Sequence, residues 1–215
     1  PWVWVPTLYL AEGIPYFIVT AISVTLFAQL GVPNSEMALF TSLITFPWVI
    51  KPIWSPFVDV LKTKRWWVLA MQALMCITIL LIGSFAPKGY FTLGLILFTI
   101  TAFASATHDI AADGFYLLAL DEKRKSIFVG IRSTFYRIAS IFSQGLLVYI
   151  AGTIEAKTDN IPLSWQITIG LTGVVLLLVT LYHTLLLPRP REDAERREQT
   201  IRGAMHELRQ SFSTF

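Results

Sequence analysis

Charge is scarce in this chain. Asp, Glu, Lys and Arg make up 14% of its 215 residues, against roughly 25% in soluble domains, so it lacks the polar surface a water-soluble globule needs. Cysteine is scarcer still. The single Cys76 sits inside the apolar run LAMQALMCITILLIG and reads as a small packing residue, neither a redox group nor a metal ligand. No zinc-type ligand spacing, phosphate loop, nucleophile elbow or glycine-rich nucleotide fingerprint occurs. Neither a cofactor nor enzymatic chemistry is therefore expected. The net charge of +3 comes from basic residues in short loops and a tail, without the basic groove of a nucleic-acid binder. The chain opens on Pro1, with no initiator Met and no basic leader, and is expected to be a piece of a longer one.

Apolar residues are abundant instead: 54% of the chain is hydrophobic, with 15 Phe, 7 Trp and 7 Tyr. They gather in six runs, at about residues 5–30, 36–61, 66–85, 90–118, 127–151 and 164–187, each clearing the roughly 20 helical residues that cross a bilayer. The expected fold is an all-α membrane protein, a six-helix bundle over residues 1–187 followed by a linker over 188–215. Loop charges alternate. KTKR (Lys62, Lys64, Arg65), DEKRK (Lys123, Arg124, Lys125) and the tail from Arg189 share one side, while the opposite loops offer only Lys88 and Lys157. By the positive-inside rule both ends of the segment are cytoplasmic. Trp66, Trp67, Tyr90 and Phe91 stand where interface anchors belong. In the tail, Ile201, Ala204, Met205, Leu208 and Phe212 recur at helical spacing, predicting an amphipathic cytoplasmic helix or a linker to another membrane domain.

The charges inside the apolar runs point to function. Glu12, Lys51, Asp109, Asp113, Arg132 and Arg137 all lie at membrane depth, where a charge normally faces a bundle interior, pairs, or lines a solute path. In the fourth segment Ala102, Ser105, Ala106, Asp109 and Asp113 share one helical face, with His108 one step around. In the fifth, Arg132 and Arg137 lie roughly 8 Å and 15 Å from the inner boundary, matching Asp113 and Asp109 in depth. If the two helices are neighbours, Asp109 meets Arg137 and Asp113 meets Arg132. These charges either only lock the helices or also handle substrate or protons. One histidine beside two carboxylates does not make a metal site.

Glu12 is the first choice for a protonatable carboxylate, with Tyr16, Thr20 and Ser23 following on its face. Gly13 and Pro15 predict a kink there. A permanent pairing of Glu12 with Lys51 or Arg137 is the structural alternative. In the second segment Pro47, Pro52 and Pro56 should bend the inner half, and Lys51 is a candidate contact for an anionic solute. Trp48 and Trp54 either stack on a sugar or pack on lipid. Arg137, Ser140 and Gln144 share a face in the fifth segment, as solute ligands or as interhelical hydrogen bonds. The third and sixth segments look like outer scaffold, almost free of interior polarity, with His183 at the interface.

Six helices, inward ends, a basic loop after the second helix and a charged tail resemble the amino-terminal half of a major facilitator superfamily transporter. That family's G-x-x-x-D-x-x-G-[RK]-[RK] loop is met in part by SPFVDVLKTKR. Asp59 supplies the acid, and Lys64 and Arg65 the basic end. Ser55 replaces the leading Gly, and Lys62 and Thr63 stand where Gly and a base are usual. The family's usual Arg on the fourth helix and Gly-Pro signature on the fifth are not recognisable. LYLAEGIPYF, FPWVIKPIWSPFVD, ATHDIAADGFYLLAL and GIRSTFYRIA resemble the muropeptide permease branch, which is related also to acetyl-coenzyme A transporters.

The resemblance implies a symporter of the bacterial inner membrane that imports anhydromuramyl peptides released in peptidoglycan recycling, driven by protons. It marks Glu12, Lys51, Asp109, Asp113 and Arg137 as proton- or substrate-handling, and Asp59, Lys62, Lys64 and Arg65 as a gating loop. Tyr16, Thr20, His108, Arg132, Ser140 and Gln144 are expected to support the cavity. The implied partners are the lipid bilayer, a proton, a small amphiphilic or sugar-peptide solute, and a missing carboxy-terminal six-helix half. Two other readings fit the same residues. One is transport of another anionic amphiphile, a sugar or an acyl-coenzyme A; the other is a membrane sensor or scaffold that transports nothing.

Overall fold

A computed structural model describes residues 1–194. Six helical spans are long and apolar enough to cross a membrane: α1 (Val5–Gln29), α2 (Asn34–Leu61), α3 (Lys64–Lys88), α4 (Phe91–Ala119), α5 (Glu122–Thr158) and α6 (Ile161–Leu186). No strand occurs among the described residues. The amphipathic helix expected from Ile201 to Phe212 lies outside them.

Local chemistry sets the helix ends. The Thr63 side chain accepts from the Trp66 amide at 3.3 Å, Asp121 from Arg124 at 2.8 Å and Asn160 from Leu163 at 2.9 Å, each satisfying an amide that the helix itself leaves free. The cap at Asp121 explains why α5 begins well before the apolar run expected at residue 127. Its far end closes at Asp159 in the left-handed conformation, φ 50°. Tight turns at Gly31 and Gly89, with φ of 80° and 86°, separate α1 from α2 and α3 from α4.

Two helices depart from α geometry. In α1 a π-helical stretch, Ile18–Ile22, follows Pro15, where the missing proline N–H disturbs the hydrogen-bond ladder. In α5 a second π stretch covers Phe142–Leu147. By contrast α2 is helical throughout, with Pro47, Pro52 and Pro56 inside it.

The packing corrects one sequence expectation. α5 packs chiefly on α1, while α4 packs on α2, α3 and α1. The fourth and fifth helices therefore do not lie side by side, and α1 mediates between them. Its approach to α5 is close: a Cβ built on Gly13 would sit 2.6 Å from the Cβ of Ala139. Two apolar clusters fill the bundle. One includes Ile14, Phe98, Ala102, Ala139 and Trp165; the other includes Tyr9, Val68, Ala111, Phe115 and Leu187. Glu12 and Asp109 fall between them along α1 and α4. Outward, α2 exposes Leu39, Leu43, Phe46, Val49, Ile53 and Phe57, an apolar surface suited to lipid or to another apolar partner.

The loop after α2 is tied down on both sides. Lys64 pairs with Asp59, and its own backbone N–H donates to Asp193 Oδ1 at 2.8 Å. The Arg65 N–H donates to Asp193 Oδ2 at 3.1 Å, and its guanidinium reaches the carbonyls of Thr184 at 2.8 Å and Leu187 at 3.2 Å. Lys62 instead lies over the Trp66 ring, 5.8 Å from its centroid. Asp193 is 5% exposed and works as a cap delivered from the tail. The sequence pattern did not single it out.

Replacing Gly13 by Val is expected to destabilise the bundle by about 1–3 kcal/mol, because the added carbons overlap Ala139. A lowered thermal unfolding midpoint in detergent, with Gly130→Ala as a control where a Cβ meets nothing within 4 Å, tests the close approach.

Candidate functional site

A cavity of about 590 Å³ opens between α1, α2, α4 and α5. Its walls include Tyr9, Glu12 and Tyr16 from α1, Trp48 from α2, Ser105 and Asp109 from α4, and Arg132, Ser133, Tyr136 and Arg137 from α5. The helical period aligns these groups: Tyr9, Glu12 and Tyr16 follow at i, i+3 and i+7, and Arg132, Tyr136 and Ser133, Arg137 at i, i+4.

The acids and bases pair in an order that the helix packing decides. Lys51 forms the ion pair with Asp109, not Arg137, because α2 and not α5 lies against α4. Asp113 does meet Arg132, at 2.5 Å. The guanidinium lies beside two rings, 4.5 Å from the Tyr9 centroid and 5.2 Å from Tyr116, a geometry that adds cation–π attraction. The Tyr9 hydroxyl donates to the same Asp113 oxygen at 3.0 Å. Arg137 lines the cavity but forms no ion pair among the described residues.

Glu12 has no ion-pair partner among the described residues either. Its side chain is 8% exposed and Oε2 is buried without a hydrogen bond. One carboxylate oxygen each from Glu12, Asp109 and Asp113 lie within 4.8 Å of one another. Two ion pairs thus serve three acids, Arg137 stands unpaired in the same cavity, and a buried carboxylate without a partner is costly. This layer can take up a positive charge.

Aromatic rings form the wall beside it. Tyr16 meets Trp48 at 5.0 Å and Tyr136 at 6.1 Å between centroids. Trp54 points elsewhere, donating its indole N–H to Thr107 at 3.2 Å.

Several expected cavity residues lie outside it. Thr20 donates to the Tyr16 carbonyl at 2.9 Å, closing a local helix bond. Gln144 donates to Ser140 at 2.8 Å one turn away, and neither residue is part of the cavity lining. His108 points the opposite way, into the scaffold. There the Gln72 amide donates to His108 Nε2 at 3.0 Å, and Gln72 Oε1 accepts from His183 Nδ1 at 3.0 Å. His183 Nε2 then accepts from Thr7 at 2.9 Å. The expectation that α3 and α6 lack interior polarity, and that His183 sits at the interface, is thereby corrected: Gln72 is 3% exposed and both histidines are 0%. A single Gln in an apolar run conceals its partners because they come from two other helices. Tyr9 and Ser133 were missed as well. Tyr9 was detectable at three residues before Glu12, on the same face.

The Major Facilitator Superfamily model matches residues 7–213. The chain belongs to the Major Facilitator Superfamily. It is 28% identical over 189 residues to the anhydromuropeptide permease of Escherichia coli strain K12, covering 85% of this chain and 36% of that protein. A putative transporter AmpG 3 of Rickettsia typhi is 28% identical over 134 residues, covering 58% of this chain and 30% of its own length. An uncharacterized protein of Haemophilus influenzae is 26% identical over 162 residues, covering 73% and 36% respectively. The chain spans about a third of the length of these relatives. As a superfamily member with six apolar helices, it is a multi-pass membrane protein, and the cavity is its candidate functional site.

Replacing Gln72 by Leu should leave both histidine rings short of a partner while the cavity walls stay intact. The expected cost is about 1–3 kcal/mol for buried polar groups left unsatisfied, read as a lower unfolding midpoint in detergent. A midpoint equal to the parent's would mean that the chain from Thr7 to His108 contributes no stability.

Proposed function

We propose that this segment is the amino-terminal half of a proton-coupled importer of muropeptide-like solutes in a bacterial inner membrane, with both segment ends in the cytoplasm. The observation that carries the reading is Glu12, a buried carboxylate without a hydrogen-bond partner at Oε2, on the wall of the polar cavity. A proton on Glu12 removes the excess negative charge beside Asp109 and Asp113. That stabilises one arrangement of the transporter over another, and only such a difference in binding can move a two-state equilibrium.

The cargo assignment draws on two supports. The Escherichia coli relative bears the name anhydromuropeptide permease. The cavity also offers Arg137, which has no acidic partner among the described residues, together with the aromatic wall of Tyr16, Trp48 and Tyr136. A guanidinium suits a carboxylate, and ring faces suit the apolar side of a sugar. A second six-helix half would close the cavity, in keeping with the relatives' greater length, and alternating access would arise from the halves rocking about it. In this scheme Asp59, Lys62, Lys64 and Arg65 act at the cytoplasmic gate.

Uptake of labelled anhydromuramyl peptide into proteoliposomes holding the full-length protein tests both parts. Accumulation should require an inward proton gradient and should vanish in Glu12→Gln. Normal gradient-driven accumulation by that variant would sink the role of Glu12, and no uptake by folded parent protein would sink the cargo. Arg137→Gln is expected to raise KM by roughly tenfold or more, as for a lost charged hydrogen bond of about 1.5–3 kcal/mol.

A further inference from the structure

We infer that the buried chain Thr7–His183–Gln72–His108 is a reversible hydrogen-bond relay. It runs in either of two directions, its two histidines change tautomer together, and the Thr7 hydroxyl sets the direction. The relay lies outside the cavity and stands whether or not the transport reading does.

Hydrogens can be counted along the chain. A neutral imidazole has one N–H and one bare nitrogen, and a primary amide has a donor end and an acceptor end of nearly the same shape. Gln72 touches Nε2 of His108 and Nδ1 of His183, each at 3.0 Å. In one direction the amide N–H meets a bare His108 Nε2, and the amide oxygen takes the His183 Nδ1–H. Both rings are then Nδ1–H tautomers. With the amide turned over, its oxygen takes the His108 Nε2–H and its N–H meets a bare His183 Nδ1. Both rings are then Nε2–H tautomers. Unlike tautomers set donor against donor or acceptor against acceptor at one end of the amide, leaving buried groups unbonded at a cost. Gln72 is 3% exposed and both rings 0%, so bulk water does not relieve that mismatch. Neither ring forms an ion pair among the described residues.

The outer link of the chain makes the choice. Thr7 Oγ1 lies 2.9 Å from His183 Nε2 and 3.2 Å from the Trp4 carbonyl oxygen, but a hydroxyl has one hydrogen. With Nδ1–H rings, Thr7 donates to the bare His183 Nε2 and the bond to Trp4 is given up. With Nε2–H rings, Thr7 accepts from His183 and donates to Trp4. That second direction contains one hydrogen bond more. At the opposite end His108 Nδ1 is buried without a partner, as the open end of such a chain is, and it carries a hydrogen only in the first direction.

Thr7 belongs to α1, and His183 stands in the last turn of α6. Gln72 belongs to α3, and His108 to α4 beside Asp109. The relay therefore writes the contact between α1 and α6 onto a proton position inside α4. A shift of α1 that parts Thr7 from His183 removes the extra bond and frees both rings to exchange tautomers.

Nitrogen-15 magnetic resonance of histidine-labelled full-length protein in lipid, at pH 8, tests the relay, because bare and protonated ring nitrogens resonate far apart. An ordinary imidazole, with its pKa of about 6.5, is neutral there. Signals are assigned by replacing each histidine in turn. The parent is expected to carry Nε2–H on both His108 and His183. Thr7→Val, which keeps the shape and removes the hydroxyl, should raise the Nδ1–H share several-fold on both rings and to the same extent. Thr7→Ser retains the hydroxyl and should give the parent pattern. Unlike tautomers on the two rings of the parent would overturn the relay. So would a folded Thr7→Val protein in which His183 alone changes, or in which neither ring does. Unfolding midpoints establish that each spectrum is of folded protein, and the parent spectrum decides the like-tautomer rule even if the valine variant fails to fold.

Discussion

Three carboxylates and only two ion pairs, held between apolar clusters, are the constraint around which this structure is arranged. Charge at membrane depth is tolerated only when it is paired or hydrated. Lys51 answers Asp109 and Arg132 answers Asp113, the first pair linking α2 to α4 and the second α4 to α5. The Arg132 pair is reinforced by the Tyr9 and Tyr116 rings, which spread its charge and limit its rotamers. What these pairs leave over is Glu12. It is 8% exposed, and its Oε2 has no hydrogen-bond partner.

Placing Glu12 there depends on backbone proximity. α1 carries the glutamate, and its neighbour Gly13 lets the helix lie against Ala139 of α5 with no intervening side chain. A larger residue would push α1 away from α5, which supplies Arg132, Tyr136 and Arg137 to the same cavity. On the far side of α4, the chain Thr7–His183–Gln72–His108 joins α1, α6, α3 and α4. Adjacent residues of α4 thus have opposite duties: His108 ties the helix to the scaffold, and Asp109 presents charge to the cavity. The helical turn of about 100° per residue is enough to separate them.

Much of the architecture was legible in the residue pattern. Six apolar runs of membrane length became six helical spans, because apolar length is a local property that no later packing event can cancel. The capping residues Thr63, Asp121 and Asn160 moved the ends outward, as local side-chain-to-amide bonds do. Glu12, Asp109, Arg132 and Arg137 were recognisable as interior charges from composition alone, and all four line the cavity. Depth also matched Asp113 to Arg132. The same reasoning failed for Asp109 because depth gives one coordinate and pairing needs two: Lys51 and Arg137 lie at similar depth, and only the placement of α2 against α4 favours the lysine.

The sequence by itself determined the helical membrane class, the span limits to within a few residues outside α5 and the inventory of buried charge, since these follow from hydropathy, period and the cost of ionised groups in hydrocarbon. The tertiary structure alone decided which acid lacks a cation, that Gln72 binds two histidines from different helices, and that Asp193 caps α3 from the tail. Each of these is a contact between residues far apart in the chain. Its partner is chosen by how the helices pack, and no local pattern encodes that choice.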